Sequence, residues 1–356
     1  MNSLLQNNSA FTLNNSGGSY VDSNNIITWH GLKFNRVDKS LTIDSFTYTP
    51  ALPRDSFVLK RQYQADYITA TTNSIRLEGA DLESYVSDST LKAGKLIIDK
   101  PVITAYRDAT KPFKHGYIKY LPSLMIKRFP PLFSFDTIQM QEATITYSQV
   151  DKKTEKTGTI PLTHLNAILF PVRNYNLAET DSLELHATAL IMGKAPMQLI
   201  AKESYDDSLA GIHILLSANA ADLTILNPAL IPLVSAKLKS GWLDTLQMDV
   251  KADEHTAYGE MKMNYKNLKI TIVKKGDPRS KTLLTRLGNF AANTFILKHK
   301  NNNKRTGTVY FERIRERSFF NYLVKMTISG IASATGLKKE KRAIRRYLRQ
   351  KQKQSA

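Results

Sequence analysis

The sequence contains no cysteine. A chain without cysteine has no disulfide, no thiol nucleophile and no thiolate metal site. It also lacks the HExxH, GxSxG, GxGxxG and GxxxxGK[ST] motifs that accompany zinc, acyl-transfer, dinucleotide and nucleotide chemistry. Its seven histidines stand singly, and His186 and His213 occupy polar strand positions where a solvated imidazole is expected. We therefore predict no enzymatic activity, no cofactor and no metal site.

Long apolar runs are also missing. The first 25 residues show no basic-then-apolar export signal, and no stretch reaches the roughly 20 apolar residues of a membrane-spanning helix. Residues 318–335 come nearest but contain Lys325, which costs about 2.5–3.5 kcal/mol at a bilayer centre. The chain is therefore either cytosolic, or an export or anchor segment belongs in front of it.

Acidic residues are scarce towards the C-terminus. Residues 298–356 hold 17 Lys and Arg against three Glu, which places +14 of the total net charge of +19 in this region. The composition predicts three parts: a flexible or partial strand region at 1–30, a strand-rich domain at 31–315 and a basic helical tail at 316–356.

Apolar residues alternate with polar ones over most of the chain. Leu246, Met248 and Val250 alternate with polar residues, and Met261 and Met263 continue the pattern after a turn. This period of two is typical of half-buried antiparallel strands. A third run, at Leu268, Ile270 and Ile272, follows with almost no loop. About a dozen such strands recur every ten residues or so, and long helices are expected only after residue 280, so the chain is predicted to be mainly β.

Several local features accompany the strands. Leu41 and Ile43 fall on one face and Phe46 and Tyr48 on the other, which indicates a bulge near Ser45. Pro101 marks an edge or a register break. The remaining expectations are a helix at 228–239 closed by Gly241, a hairpin of 295–300 with 308–313, and helices at 280–294, 316–335 and 338–353.

A sheet that is apolar on one side must bury that side. A second sheet would do so in a sandwich or barrel. Alternatively, the sheet curls into a trough that is filled by something other than protein. Acyl chains suit such a trough, at about 0.8 kcal/mol for each buried methylene. The strand pattern alone leaves both solutions open.

Six segments of the sequence carry a family resemblance. They are GKLIIDKPVITAYRD with LPSLMIKRFP, TITYSQ with KTGTIPLTHLNAIL, LKSGWLDTLQMDVKADEHTAYGEMKMNYKNLKI, and FERIRERSFFNYLVKMTISGIASATGLKK. In order and spacing they resemble the C-terminal part of AsmA-like proteins, a bacterial envelope family related to the repeating-groove, bridge-type lipid transfer proteins. A turn at Ser240-Gly241, the strand with Ala257, Gly259 and Met261, and a corner at 265–268 carry most of this resemblance. It covers about residues 36–340.

The resemblance implies an elongated, curled antiparallel sheet, a β-taco, with a hydrophobic groove, a few short helices and amphipathic C-terminal helices. It also implies binding and inter-membrane transport of phospholipid or another acyl lipid. Family members usually begin with a membrane-spanning helix and project into the periplasm, so we expect a membrane-associated periplasmic protein. The groove wall is predicted to comprise Leu183, Leu185, Met197, Leu199, Ile212, Ile214, Leu246, Met248, Val250, Met261, Met263, Leu268, Ile270 and Ile272.

The basic tail has three possible roles. It could be a solvated charge run, a nucleic-acid contact or a contact with an anionic membrane surface. No interleaved aromatics or base-reading amides support nucleic acid. The predicted membrane contacts are Phe319, Phe320, Leu323, Lys338, Lys339, Arg342, Arg345, Arg346 and Arg349. Residues 318–335 could instead cap the open end of the sheet. The alternative to lipid transport is a structural or assembly-factor role through envelope protein partners, without a lipid.

Overall fold

The computed structural model describes residues 12–207, 211–272, 299–302 and 304–336. Of these residues, 56% lie in strands and 16% in helices, so the predicted mainly β class is confirmed. The described strands form one sheet. They are β1 Thr12–Val21, β2 Asn25–Asn35, β3 Ser40–Ile43, β4 Ser45–Pro50, β5 Asp66–Thr72, β6 Ser74–Glu78, β7 Leu91–Asp99, β8 Val102–Asp108, β9 Phe133–Val150, β10 Thr157–Phe170, β11 Val172–Arg173, β12 Ser182–Ile191, β13 Ala195–Ser204, β14 Ile212–Ala218, β15 Ala221–Asp222, β16 Ala236–Ala252, β17 Thr256–Ile272 and β18 Thr306–Glu312.

Five α-helices connect or cover these strands. They are α1 Arg54–Lys60, α2 Leu82–Asp88, α3 Pro122–Lys127, α4 Asn227–Val234 and α5 Phe319–Ala334, and a 3₁₀ turn spans Leu223–Leu226. Only α5 is longer than eight residues. The described helices are therefore attachments to the sheet and do not form a separate domain.

The sheet is a ladder of ribbons, some made of two consecutive strands. β3 and β4 form one ribbon, and the same holds for β5 with β6 and for β7 with β8. Neighbouring strands pair antiparallel except at β9, which runs parallel to β7 and β8. Two parallel strands can be joined only by a crossover segment that brings the chain back to the end of the sheet where the first strand began. Residues 109–132, which include α3, make this crossover.

A line of bends crosses six neighbouring ribbons of the first half. At one level of each ribbon, one or two residues interrupt the regular pairing, in several cases with a positive φ angle. The interrupting positions are Gly31, Asp44, Asn73, Lys100, Glu142 and His164. Bulges bend a strand and increase its twist. They stack in register from ribbon to ribbon, and we call this line of irregular positions the crease.

The crease also keeps apolar side chains on one side. An extra residue at Asp44 reverses the alternation, so Ile43 and Phe46 both point inward. The bulge predicted near Ser45 is therefore present. Its predicted effect, opposite faces for Ile43 and Phe46, is wrong. The register break expected at Pro101 lies between β7 and β8, as predicted.

Register places one apolar row across the whole inner face. Side chains that pair directly across strands share a face. The row comprises Phe34, Leu41, Leu77, Leu96, Ile138, Leu169, Leu185, Ala201, Ile214, Val250, Gly259 and Val309. In the half of the sheet that is covered by helices, a charged side chain at one of these positions would be buried without water or an ion-pair partner. The apolar residues of the alternating pattern therefore lie on a single face of the sheet, which continues from β2 to β18.

Helices α3, α4 and α5 cover the second half of this face. α4 packs against both β10 and β16, and α5 packs on β17 and β18. Beneath them Val250 and Met261 have no exposed surface, and the same holds for Met326 on the buried side of α5. The inner face from β9 to β18 is therefore covered by helices of the chain itself.

Helix α5 also caps the free edge of β18. Ser333 Oγ accepts the Thr308 backbone N–H at 2.8 Å, and Ser329 Oγ donates to the Tyr310 carbonyl at 2.8 Å. The i, i+4 spacing places both hydroxyls on one side of the helix. The sequence leaves two placements open for this segment, at a membrane interface or as a cap on the sheet. In the described chain α5 packs on β17 and β18, at the edge of the sheet.

Residues 1–30 are predicted to be flexible or partly strand, and where this region is described, at 12–30, it forms β1 and part of β2, a regular hairpin in the sheet. Several other predicted boundaries are corrected. Helix α4 ends at Ser235, whose left-handed φ of 50° stops it well before Gly241. The supposed third run, 268–272, is the continuation of β17 and pairs with the start of β16. Residues 299–301 and β18 line the same edge of β17, so they form no hairpin with each other. The helices predicted at 280–294 and 338–353 lie outside the described residues.

The Ser240-Gly241 turn is also corrected. Both residues lie inside β16, where the pairing with β17 shifts register. Ser240 Oγ donates to the Asn267 carbonyl at 2.7 Å, and Asn267 has a φ of 54°. The predicted turn and the predicted corner at 265–268 are therefore two sides of one local distortion in a continuous strand pair.

We expect α5 docking to depend on the absence of a side chain at Gly307. A Cβ there would lie 2.6 Å from Ala334 N and 2.7 Å from the Gly330 carbonyl, both backbone atoms that cannot rotate away. Gly307→Ala should lower the free energy of unfolding by about 1–3 kcal/mol through overpacking. Urea unfolding measures this change. The control is Gly94→Ala, whose Cβ would meet nothing closer than 3.5 Å. Equal stability of the two variants would contradict close packing of α5 on β18.

Candidate functional site

The inner face is open over the first half of the sheet. No described helix packs as a layer on β2, β3, β4 or β6. Inward side chains such as Leu41, Ile75 and Ile98 are only half-buried, although their continuation under the helices is fully buried. We call the inward side chains of β2–β8 the open inner face. Apolar surface of this extent, left wet, costs about 25 cal/mol per Å² and usually marks a binding surface.

An apolar cleft adjoins the open inner face at the end of the sheet near α3. Its volume is about 440 Å³, within the roughly 300–1,000 Å³ typical of ligand sites. Its wall comprises Leu91, Met125, Ile126, Phe129, Pro131, Phe133, Phe135, Ile138, Leu169 and Val172. No lining residue is charged or carries a polar side chain. We call this space the apolar cleft.

Aromatic packing shapes the cleft. The Phe133 ring lies 5.7 Å from Phe129 in an edge-to-face arrangement and 5.6 Å from Phe135. Phe135 is buried, whereas Met125 and Phe129 remain 58% and 55% exposed at the mouth. Leu77 and Leu96 of the apolar row pack against the same cluster as Phe135. The cleft and the open inner face are thus one continuous apolar surface.

Polar contacts hold α3 against the sheet beside the cleft. Ser123 Oγ donates to Glu203 at 2.7 Å, and Lys127 Nζ donates to the Tyr205 carbonyl at 2.8 Å. Glu203 occupies an inward position of β13 opposite Leu183 and is 1% exposed. Burial raises the pKa of Glu203 to about 7, and the hydrogen bond from Ser123 offsets only part of this effect.

A buried ion pair fixes the crossover to the segment that leads into α5. Arg313 contacts Glu254 at 2.5 Å and also donates to the Lys119 carbonyl. The same carboxylate accepts the Leu121 backbone N–H at 2.9 Å and lies 3.5 Å from Arg315. Removing one partner of such a buried pair costs several kcal/mol. The arrangement therefore serves the packing of the crossover, and it places no nucleophile beside a base.

The residues predicted as groove wall lie mostly under the helices. Those with at most 7% exposure are Leu183, Leu199, Ile212, Ile214, Leu246, Met248, Val250, Met261, Met263 and Leu268. Leu185 and Met197 pack partly buried against the same core, Ile270 is 42% exposed, and the side chain of Ile272 is not described. This prediction is corrected because α3, α4 and α5 occupy the space over these residues. The open part of the face lies earlier in the chain.

The predicted membrane contacts divide in the same way. Phe319 and Leu323 pack against the core, whereas Phe320 is 37% exposed and lies 5.9 Å from the Tyr147 ring. Residues 338–349 lie outside the described residues. Within the described ranges, no helix has the length and hydrophobicity needed to cross a bilayer. The described His, Asp and Glu residues form no group suited to a metal ion.

The apolar cleft was not predicted from the sequence. Its residues come from the Pro-bracketed crossover and from the start of β9, which the alternation pattern treats as a connector and an ordinary strand. A signal was present: the sequence LMIKRFPPLFSF, which runs from the crossover into β9, contains seven large apolar side chains within twelve residues. Connectors are usually polar, so such a run indicates a site.

We expect the stability of the protein to fall as pH rises through Glu203. A raised folded-state pKa contributes stability that is fully present below pH 4.5 and is lost as pH rises through about 7. The loss should be about 3 kcal/mol. Glu203→Gln should remove this component and be the more stable variant at pH 8, as measured by urea unfolding across pH 4.5–8. The exposed Glu260→Gln serves as control. Parallel curves for wild type and Glu203→Gln would refute the assignment.

The sequence was also compared with known proteins. No family model matches the chain, and no curated protein matches it. The open inner face and the apolar cleft, together with the resemblance described above, are therefore the basis for a proposal about function.

Proposed function

We propose that the protein binds acyl lipids on the open inner face and in the apolar cleft. The observation that carries this proposal is the apolar row that crosses the entire sheet. Helices cover it in one half, whereas Leu41, Leu77 and Leu96 in the other half are only half-buried. A purely structural sheet would be expected to cover both halves equally. The cleft supplies a deeper pocket at one end of the open surface.

The chemistry of these surfaces fits alkyl chains better than compact polar ligands. Each methylene buried contributes about 0.8 kcal/mol without requiring a specific hydrogen bond. A wall without charged or hydrogen-bonding side chains discriminates poorly between chains of different length. We therefore propose a carrier of acyl lipids in general, with no chemical step.

Transport within a bacterial envelope is the wider proposal. It is supported by the resemblance to AsmA-like proteins and by the one-sided sheet that such a role requires. On this view the protein is periplasmic and membrane-associated, and phospholipid moves along the inner face between membranes. The second half of the sheet, filled by α3, α4 and α5, acts as the rigid scaffold for the open half.

The second candidate is a structural or assembly factor without a lipid ligand. Met125 on α3 and Phe129 just after it favour this candidate, because exposed apolar side chains at a cleft mouth also suit a protein partner. The two candidates differ in what copurifies with the chain. Lipid extraction and native mass spectrometry should detect phospholipid if the first is correct, and protein free of lipid if the second is correct.

We expect charges at the cleft mouth to weaken lipid binding. Met125→Glu with Phe129→Glu should raise the Kd for a neutral fluorescent lipid at least fivefold, because an alkyl chain would have to desolvate two carboxylates. Both side chains are more than half exposed, so folding should survive. Leu59→Glu, at a site 78% exposed and remote from the cleft, is the matched control. Equal affinity of the two variants would remove the cleft from the proposed site.

The basic C-terminal segment should bind anionic membranes. A chain ending at Gly336 keeps α5 and loses nine basic residues between Lys338 and Lys353. Each basic side chain near an anionic surface contributes about 1 kcal/mol, and salt screens the attraction. Co-sedimentation with phosphatidylserine vesicles should fall after truncation and, for the full chain, with added salt. Binding that ignores both changes would contradict a membrane role for this segment.

A further inference from the structure

The open inner face ends in a polar row at the side opposite the apolar cleft. Asp66, Arg107 and Gln149 pair across β5, β8 and β9 at the last inward positions. The preceding inward row is apolar, with Ile68, Ala105 and Tyr147. A molecule lying on the face therefore meets hydrocarbon first and charge at this end.

The carboxylate in this row is already occupied. Arg107 holds Asp66 with two hydrogen bonds of 2.6 and 2.5 Å, and Lys119 lies 3.5 Å from the same carboxylate. Because both oxygens of the Asp66 carboxylate are engaged by these contacts, Asp66 is not free to pair with a further cation. One carboxylate serves two positive groups.

Two more cations come from the segment at the start of α5. Arg317 stacks on the Phe113 ring at 3.9 Å and donates to the Gln64 side chain at 3.2 Å. Burial lowers the pKa of Arg317, and the nearby charge of Arg107 lowers it further. Among the described residues no carboxylate lies within ion-pair distance of Arg317.

Lys325 is the second cation. It is two turns into α5, on the side of the helix shared with Asn321 and Ile328 and away from Met326, which packs in the core. Helical side chains point back towards the N-terminus, so its ammonium is directed towards Arg317. Burial lowers the pKa of Lys325, and Arg317 adds to the effect. Lys325 has neither a hydrogen bond nor an ion pair within the described structure.

The local charges do not balance. This region holds four cations, Arg107, Lys119, Arg317 and Lys325, and two carboxylates. Asp66 contacts Arg107 and Lys119, and Glu316 lies near Arg317 and 3.7 Å from His115. A surplus of two positive charges beside an apolar surface is costly in the empty protein. An anion that arrives attached to an apolar chain would remove this cost.

We infer that Arg317 and Lys325 form a headgroup site for an anionic amphiphile, a phosphate or carboxylate ester or acid, whose acyl chain lies on the open inner face. The inference rests on the proposed lipid-binding function and adds its charge selectivity. Arginine suits planar, bidentate contact with such oxyanions, and lysine adds a point charge. The apolar rows that begin at Ile68 and Ala105 would receive the chain.

Displacement of the neutral dye N-phenyl-1-naphthylamine tests the inference with two probes of equal chain length, dodecyl phosphate and dodecanol. The wild-type protein should bind dodecyl phosphate about tenfold more tightly, and the advantage should shrink with added salt. Lys325→Met should abolish most of this advantage and leave dodecanol binding unchanged. Lys325→Arg should retain it. Lys251→Met, which removes an exposed cation on the outer side of β16, is the control.

The stability of the Lys325→Met variant is a second measurement, and its expected direction differs from that for a lysine with a purely structural role. Because Lys325 has no anionic partner, Lys325→Met should raise the urea midpoint while it weakens phosphate binding. A lowered midpoint together with equal loss of both probes would assign Lys325 a structural role and overturn the inference.

The remaining outcomes separate the two proposals. Equal affinity of the wild-type protein for both probes would overturn the headgroup site and leave the lipid-binding face intact. Failure of both probes to displace the dye would overturn lipid binding as well. Competition by inorganic phosphate at the same concentration as dodecyl phosphate would assign the cations to a free anion and overturn the acyl component.

Discussion

The structure depends on the unequal covering of a sheet that is apolar on one side only. Every ribbon from β2 to β18 turns hydrocarbon towards the same side, so the protein must supply a cover of matching extent. It supplies one from three helices over the later ribbons and none of comparable extent, among the described residues, over the earlier ones. This difference explains why the apolar side chains are buried in the second half of the sheet and remain accessible to a ligand in the first half.

Short-range alternation predicted much of this architecture. The period of two located the long strands of the second half, and the apolar residues of β16 and β17 are buried as that pattern requires. Alternation does not say what lies opposite an apolar face. Leu246 and Val250 read as equally suited to a lipid channel or to a protein core, and only the position of α5 decides between them. The predicted groove was therefore placed on the wrong ribbons.

The crease shows a second limit of reading by pattern. Asn73, Glu142 and His164 are polar residues of ordinary appearance in the sequence, and none is a glycine or proline that would announce a break. Their common role arises because pairing brings them to one level. Glu142 accepts hydrogen bonds from Asn166 and contacts His164 at 2.7 Å, which fixes the bend between β9 and β10. Such alignment depends on contacts between residues distant in sequence, so no local signal reports it.

The two ends of the sheet differ in a way that bears on assembly. At β18 the outward amide of Thr308 and the carbonyl of Tyr310 are bonded to hydroxyls of α5, so that margin is sealed against further strands. At β1 the backbone pairs with β2 on one side, and in the described part of the chain no element pairs with its other side. Among the described residues, a strand added by β-augmentation would therefore find unpaired backbone groups at the β1 margin, whereas Thr308 and Tyr310 at the other margin are already bonded.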